Sequence, residues 1–319
     1  MSKFLISGGA GFVGSHLCEK IHSQYKKSKI IILDKLTYAG NKKFINHLIK
    51  KKNVEFVKGD ICNNNLMKKM LKGVDIAINV AAESHVDNSF NNSFAFTLTN
   101  SFGSHVFFEN CKLNKVKNII HVSTDEVYGQ KLSGTSFEND KLIPTNPYSA
   151  SKAAAEMIAL SYNKSFKTNI TIIRSNNLYG IRQYPEKLIA KTILSFLKNK
   201  KMEIHGNGNQ IRHYLHINDL TDGIMIILKK KIKNDIINFG SNEYYRNKDI
   251  VKKICDYMNL NFKKNVKFIS DRPFNDYRYK VSFNKAKKYG WNPKSKFDTN
   301  ITKIIEWYTN NQNLYKKFK

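Results

Sequence analysis

Short apolar runs recur through the first 175 residues, separated by stretches long enough for a helix. The runs are Phe4–Ser7, Ile30–Asp34, Val54–Lys58, Ile76–Val80, Ile119–Ser123 and Ile170–Ser175. Strands that alternate with helices imply right-handed βαβ units and an α/β fold around a mostly parallel, doubly wound sheet. Beyond Ser175 the pattern becomes irregular. Loops rich in Asn, Gly and Tyr surround a helix at Leu188–Leu197, and an amphipathic helix at Thr299–Asn310 carries Trp307. The segment from Leu215 to Phe239 is expected to return to the sheet. The pattern therefore predicts a larger unit of residues 1–175 with 215–239, and a smaller one of 176–214 with 240–319. The terminal Lys316-Lys317-Phe318-Lys319 is expected to fray.

The first strand runs into Gly8-Gly9-Ala10-Gly11-Phe12-Val13-Gly14. Glycines 8, 11 and 14 allow a tight turn and bring backbone close to a pyrophosphate at a helix N-terminus, where amides and dipole favour negative charge. Such a loop alone is weak evidence. Here Asp34 ends the second strand about 20 residues on, placed for adenosine ribose hydroxyls, so the context is that of a Rossmann dinucleotide site. A carboxylate repels a 2′-phosphate, so Asp34 favours NAD, while Lys35 leaves an opening for NADP. Gly59-Asp60-Ile61 and Val80-Ala81-Ala82-Glu83 follow the next two strands. Alone they are ordinary turns, and Asp60, Ile61, Ala81 and Ala82 gain weight from their place in the βαβ series.

Tyr148 and Lys152 lie four residues apart in a stretch that Asn146-Pro147 starts as a helix. On one helical face, the Lys152 ammonium is expected to lower the pKa of the Tyr148 phenol and make it a usable base. Hydride exchange with an alcohol needs no more. Ser123-Thr124-Asp125-Glu126 adds two adjacent carboxyls at the end of the fifth strand. Those carboxyls suit a further step that takes and gives protons, so the pair of motifs reads as oxidation followed by elimination.

Arg174-Ser175-Asn176-Asn177 ends the sixth strand with polar groups where a cofactor or substrate would sit. Arg212 and Arg272 suggest forked hydrogen bonding to phosphate, because this chain otherwise relies on Lys for positive charge. His121 reads as a core histidine, and Trp291 and Trp307 as packing residues.

Composition then narrows the picture. The 319 residues are 41% hydrophobic, enough for a sizeable core, and no apolar stretch of about 18 residues appears to suggest a membrane span. A strand begins at once, leaving no room for a signal peptide. Four scattered cysteines form no CxxC pair, which argues against a metal site and for a reducing cytoplasm. The net charge is +29, yet only six of 54 basic residues are Arg, and the lysines are dispersed. This pattern favours solvated faces that attract anionic nucleotides over a nucleic-acid surface.

Together the motifs resemble the NDP-glucose 4,6-dehydratases of the extended short-chain dehydrogenase/reductase superfamily. The resemblance rests on GGAGFVGSH at 8–16, DKLTYAGN at 34–41, AAESHVDNSF at 81–90, STDEVYG at 123–129, NPYSASKA at 146–153, RSNNLYG at 174–180 and PEKLI at 185–189. It implies a Rossmann unit with a smaller C-terminal α/β unit that binds a sugar nucleotide. Thr124, Asp125, Glu126, Tyr148 and Lys152 would carry the chemistry. NAD would meet Gly8, Gly11, Phe12, Val13, Gly14, Asp34, Lys35, Thr37, Asp60, Ile61, Ala81 and Ala82, along with Tyr148 and Lys152. The sugar nucleotide would meet Ser84, His85, Asn177, Glu186, Lys187, Leu188, Arg212, Asn238 and Arg272.

Val86-Asp87-Asn88-Ser89-Phe90, Arg212-His213-Tyr214-Leu215-His216 and Arg272-Pro273-Phe274-Asn275-Asp276 depart from the bacterial dTDP-glucose pattern. All three lean toward the UDP-glucose branch. The family's pairing helices would fall near Asn92–Leu113 and Tyr148–Tyr162, implying a homodimer. A sugar-nucleotide 4-epimerase, a non-catalytic NAD-binding protein and a nucleic-acid-binding protein remain as alternatives.

Overall fold

The computed structural model describes residues 2–316, so Lys317–Lys319 of the expected frayed end lie outside the described residues. Twelve strands are present among those residues: β1 (Lys3–Ser7), β2 (Lys29–Asp34), β3 (Val54–Lys58), β4 (Ile76–Asn79), β5 (Asn118–Thr124), β6 (Ile170–Ser175), β7 (Asn177–Tyr179), β8 (Met202–His205), β9 (Ile211–His216), β10 (Ile236–Phe239), β11 (Tyr244–Arg246) and β12 (Val266–Ile269). Seven form one sheet in the order β10-β6-β5-β4-β1-β2-β3, and every pairing in it is parallel. The chain builds outward from β1 through β2 to β3, then restarts at β4 on the other side of β1. Such a reversal opens a crevice at the carboxyl ends of the strands, where open α/β sheets bind ligands.

Helices cover both faces. Phe12–Gln24 and Ile217–Lys230 pack on one side around Ile6, Leu17, Ile32 and Ile224. Gly103–Leu113 and Pro147–Phe166 pack on the other around Leu5, Phe107, Phe108 and Ile172. His121 is fully buried, and burial holds its pKa well below the usual range. One ring nitrogen meets Asn79 at 3.3 Å.

A second core around Tyr179, Ile193, Ile254 and Tyr308 gathers the remaining elements. It includes the three-stranded sheet β11-β9-β7, the pair β12-β8, and the helices Leu188–Leu197, Asn247–Tyr257 and Phe297–Asn310. The last helix starts two residues earlier than its apolar pattern suggests, because Phe297 is a buried anchor for its first turn. Phe283, Ala286 and Trp291 belong to the main core, and Trp291 stacks edge-on against Phe239 of β10. Apolar burial therefore returns this part of the tail to the larger unit. Trp307 packs against Phe44, Tyr308 and Tyr315.

Candidate active site

One cleft runs along the carboxyl edge of the sheet. Its half around the glycine loop contains Gly8, Gly11, Phe12, Val13 and Gly14, followed by Asp34, Lys35, Thr37, Asp60, Ile61, Ala81 and Ala82. Gly8 has φ +68°, and a Cβ there would lie 2.7 Å from the Ala81 nitrogen. A Cβ on Gly14 would lie 2.1 Å from the Gly8 carbonyl oxygen. Both contacts are with backbone, so neither position accepts a side chain without moving the loop. Gly11 caps helix Phe12–Gln24 with no side-chain bond, which leaves the first amides directed toward the cleft. Asp34 accepts from the amides of Ala10 (2.9 Å) and Leu36 (2.7 Å), which fixes its carboxylate at the rim. The Lys35 ammonium is tied to Asp60 at 2.7 Å. It is therefore already partnered by a carboxylate where a 2′-phosphate would need it.

The other half is built by β5 and the helix Pro147–Phe166. Thr124 ends β5, and its hydroxyl accepts from the Glu126 amide at 3.3 Å. That bond opens a tight turn, Asp125–Tyr128, which Gly129 closes at φ +74°. Both carboxyls are thereby turned inward and buried. Asp125 Oδ2 accepts from Asn176 Nδ2 at 2.7 Å, and Glu126 Oε2 meets Asn146 Nδ2 at 3.5 Å. Burial, and then the Glu126 charge beside it, push the Asp125 pKa up to about 7. Burial also raises Glu126, while Lys187 and Arg212 pull it back.

Asn146 caps the helix by accepting from the Ser149 amide at 2.9 Å, and Ser149 Oγ accepts in return from the Asn146 amide at 3.3 Å. This fixes Tyr148 one residue inside the first turn, facing the carboxyls. The expected lowering of the Tyr148 pKa does not occur. Burial dominates and the Glu126 charge adds to it, so the phenol is pushed well above its ordinary range. Lys152 donates to the Val122 carbonyl oxygen at 2.7 Å, and burial lowers its own pKa to about 8.

Asn177, Glu186 and Lys187 of the smaller unit close the same cleft opposite Ser84 of the larger one. Glu186 Oε1 accepts from Ser84 Oγ at 3.0 Å, and Lys187 Nζ donates to the Ser84 carbonyl at 2.6 Å. His85, Leu188, Arg212 and Arg272 line an adjoining recess that shares Glu126, Asn177, Glu186 and Lys187 with the cleft. The Arg212 guanidinium lies 4.9 Å from the centre of the Tyr279 ring. Arg272 grips Asp87 through Nε (2.6 Å) and Nη2 (3.1 Å).

Two expected positions lie elsewhere. Asn238 is fully buried on β10, where its Oδ1 accepts from the Tyr128 hydroxyl at 2.9 Å, and it lines neither recess. Arg174 sits beside it in register on β6 and is also buried, paired with Glu156. Strand alternation turns both beneath the sheet edge and away from the opening. Asn176, in the polar stretch that ends β6, binds Asp125, and two side chains of the adjoining recess were missed, Asp276 and Tyr279. Tyr279 donates to Asp276, which also accepts from Thr145 at 2.8 Å. No local motif offered a signal for Asp276 or Tyr279.

A doubly wound sheet, a glycine loop at its switch point and a Tyr148/Lys152 pair on one helix define an extended short-chain dehydrogenase/reductase. Within that class the chain belongs to the family described as GDP-mannose 4,6 dehydratase, whose model matches residues 5–304. It is 41% identical over 314 residues to the trifunctional UDP-glucose 4,6-dehydratase/UDP-4-keto-6-deoxy-D-glucose 3,5-epimerase/UDP-4-keto-L-rhamnose-reductase of Arabidopsis thaliana, covering 96% of this chain and 47% of that one. The chain thus spans about half the length of that relative. It is 39% identical over 361 residues to dTDP-D-glucose 4,6-dehydratase of Dictyostelium discoideum, covering 99% of this chain and 83% of that one. The solved structure of dTDP-glucose 4,6-dehydratase DesIV from Streptomyces venezuelae, with NAD and TYD bound, superposes with a TM-score of 0.96. Its identity is 32%, over 99% of this chain and 100% of that one.

Proposed function

We propose that this chain is a hydro-lyase that converts an NDP-glucose, with UDP-glucose preferred over dTDP-glucose, into NDP-4-keto-6-deoxyglucose using NAD. The observation that carries the reading is the buried Asp125–Glu126 pair in the same cleft as Tyr148 and Lys152. A 4-epimerase needs the phenol and the ammonium but has no use for two proton-holding carboxyls beside them.

The half around the glycine loop fits NAD, since the contacts at Gly8 and Gly14 leave room only for backbone and Asp34 stands at the ribose end. NAD held there would supply the acceptor for the C4 hydride and the donor for C6. The chain's residues handle the protons. Tyr148 Oη takes the proton of the C4 hydroxyl, and the Thr124 hydroxyl bonds the C4 oxygen. To act as that base the phenol first gives up its own proton to solvent, and the positive charge of Lys152 one turn along favours the phenolate. Oxidation at C4 acidifies the C5 proton, which Glu126 removes. Asp125, with a pKa near neutrality, gives its proton to the departing C6 hydroxyl. One water leaves, and Glu126 returns its proton to C5 as C6 is reduced, which completes the 4-keto-6-deoxy sugar.

Lys187, Arg212 and Arg272 supply the positive charge for the diphosphate. The three departures from the bacterial dTDP-glucose motifs support UDP-glucose, in a deoxysugar route of the rhamnose type. Four free thiols fit a cytoplasmic setting. No helix among the described residues is long and apolar enough to cross a membrane. Phe94, Leu98 and Phe102 form an exposed stripe at four-residue spacing, beside exposed Met157 and Phe166 on the helix packed against it. This stripe supports a homodimer through these helices, which light scattering of wild type and Leu98→Glu would test.

Incubation with UDP-glucose or dTDP-glucose, followed by mass spectrometry, tests the activity. A product lighter by one water, formed faster from UDP-glucose, is expected. An unchanged mass with an inverted C4 would make the protein an epimerase.

A further inference from the structure

Arg174 is one of six arginines, and the cleft makes no use of it. On β6 it is 2% exposed. Its fork meets Glu156 through Nη2 at 2.6 Å and Nε at 3.0 Å. Its Nη1 donates to the Tyr128 hydroxyl oxygen at 2.6 Å and to the Glu138 carbonyl at 3.1 Å. Glu156 is fully buried and also accepts from Ser123 Oγ at 2.5 Å. The guanidinium lies 4.6 Å from the centre of the Tyr128 ring.

The partners sit at telling positions. Glu156 is one helical turn beyond Lys152 and two beyond Tyr148, on the same face. Tyr128 ends the turn that Asp125 and Glu126 begin. A single guanidinium therefore joins the element of the hydride step to the element of the elimination step. Burying an ion pair is a poor route to stability, because desolvation offsets the attraction and apolar residues often serve as well or better. Its use here is positional.

Charge supports the same view. Burial lowers the Lys152 pKa to about 8, and Glu156 opposes that lowering. Among the other groups around Lys152, His121 on β5 is held neutral by burial, and Asp125 and Glu126 have raised pKa values. Tyr148 stays protonated. The packed segment Thr97–Phe102 carries no titratable side chain. On Gly103–Leu113, His105 and Glu109 engage Tyr162 further along, and Lys112 pairs with Glu109. Asp87 on Val86–Asn91 is held by Arg272.

We propose that Glu156 and Arg174 are positioning residues of the dehydratase: as one buried unit they support the Lys152 ammonium and tie the Tyr148–Lys152 helix to the Asp125–Glu126 turn. The inference rests on the proposed function and deepens it.

The test uses Glu156→Gln, the double variant Glu156→Gln/Arg174→Met, and Tyr128→Phe, each loaded with NAD. The double variant removes both charges together and serves if the single one does not fold. In single-turnover reduction of bound NAD by UDP-glucose, the alkaline limb should move down by about one pH unit in the Glu156 variants. The Lys152 titration, followed by NMR on lysine-labelled protein without cofactor or sugar, should fall by the same amount. Tyr128→Phe should leave that limb in place and slow water loss relative to oxidation by about 10-fold or more. An unmoved limb and unmoved Lys152 titration would overturn the support of Lys152. An unchanged ratio of the two rates in Tyr128→Phe would overturn the tie. Absence of dehydrated product from the wild type would instead sink the proposed function, and the NMR titration would still judge the ion pair.

Discussion

Asp125→Asn should make the protein more stable, and by an amount that depends on pH. In the fold, burial and the Glu126 charge lift the Asp125 pKa from 3.8 to about 7. Between those values the native state holds a proton that the unfolded chain has lost, so stability falls as pH rises through this window. Below about pH 4 both states are protonated and the site imposes no ionisation cost. Above about pH 7 the cost is complete. Roughly three pH units at about 1.4 kcal/mol each give a penalty on the order of 4 kcal/mol. Asparagine keeps the shape and never ionises, and its amide faces Asn176, so part of the gain is lost to a poorer hydrogen bond. Urea unfolding of wild type and variant at pH 4.5 and pH 8 measures the difference. The gain should be small at the lower pH and reach a few kcal/mol at the higher one, while dehydration is lost. Because Glu126 contributes to the cost, Glu126→Gln should diminish the effect of Asp125→Asn. An equal gain at both pH values would refute the reasoning.

Tyr148→Phe keeps the ring and loses the base, so turnover should fall by about 10²–10⁴-fold with NAD still bound. Retention of more than about a tenth of the wild-type rate would contradict the assigned role. Gly14→Ala places a Cβ 2.1 Å from the Gly8 carbonyl oxygen, so calorimetric NAD binding should be lost or severely weakened, and wild-type affinity would refute the loop assignment. Raising salt should weaken UDP-glucose capture only modestly, as long-range attraction is screened. Tight oligonucleotide binding that falls by about 10³-fold over the same range would revive the nucleic-acid alternative.

The main sheet was legible because each of its first six strands is a short apolar run bounded by polar sequence, and local alternation needs no knowledge of distant contacts. The glycine loop, Asp34 and the Tyr148/Lys152 spacing were legible for the same reason, since each motif sits at a strand end or within one helical turn. What lay hidden depends on direction and on long-range packing. Asn238 and Arg174 occupy strand ends like true site residues, but side-chain alternation sends them under the sheet. Lys152 sits on the right face of its helix, yet it donates its hydrogen bond to the Val122 carbonyl 30 residues earlier. Phe283 and Trp291 belong by number to the tail and by burial to the main core. Asp276 and Tyr279 reach the site only because the chain folds back on itself after β12.

Separating hydride transfer from water loss tests the roles of Asp125 and Glu126 most directly. Asp125→Asn and Glu126→Gln, loaded with NAD and mixed rapidly with UDP-glucose, should still reduce the cofactor, because neither carboxyl is needed at C4. Reduced cofactor, followed by absorbance, should accumulate and decay slowly. Product lighter by one water, followed by mass spectrometry in the same samples, should appear more slowly by about 10²–10⁴-fold than with wild type. Normal dehydration by both variants would contradict the account and leave Asp125 and Glu126 as structural residues.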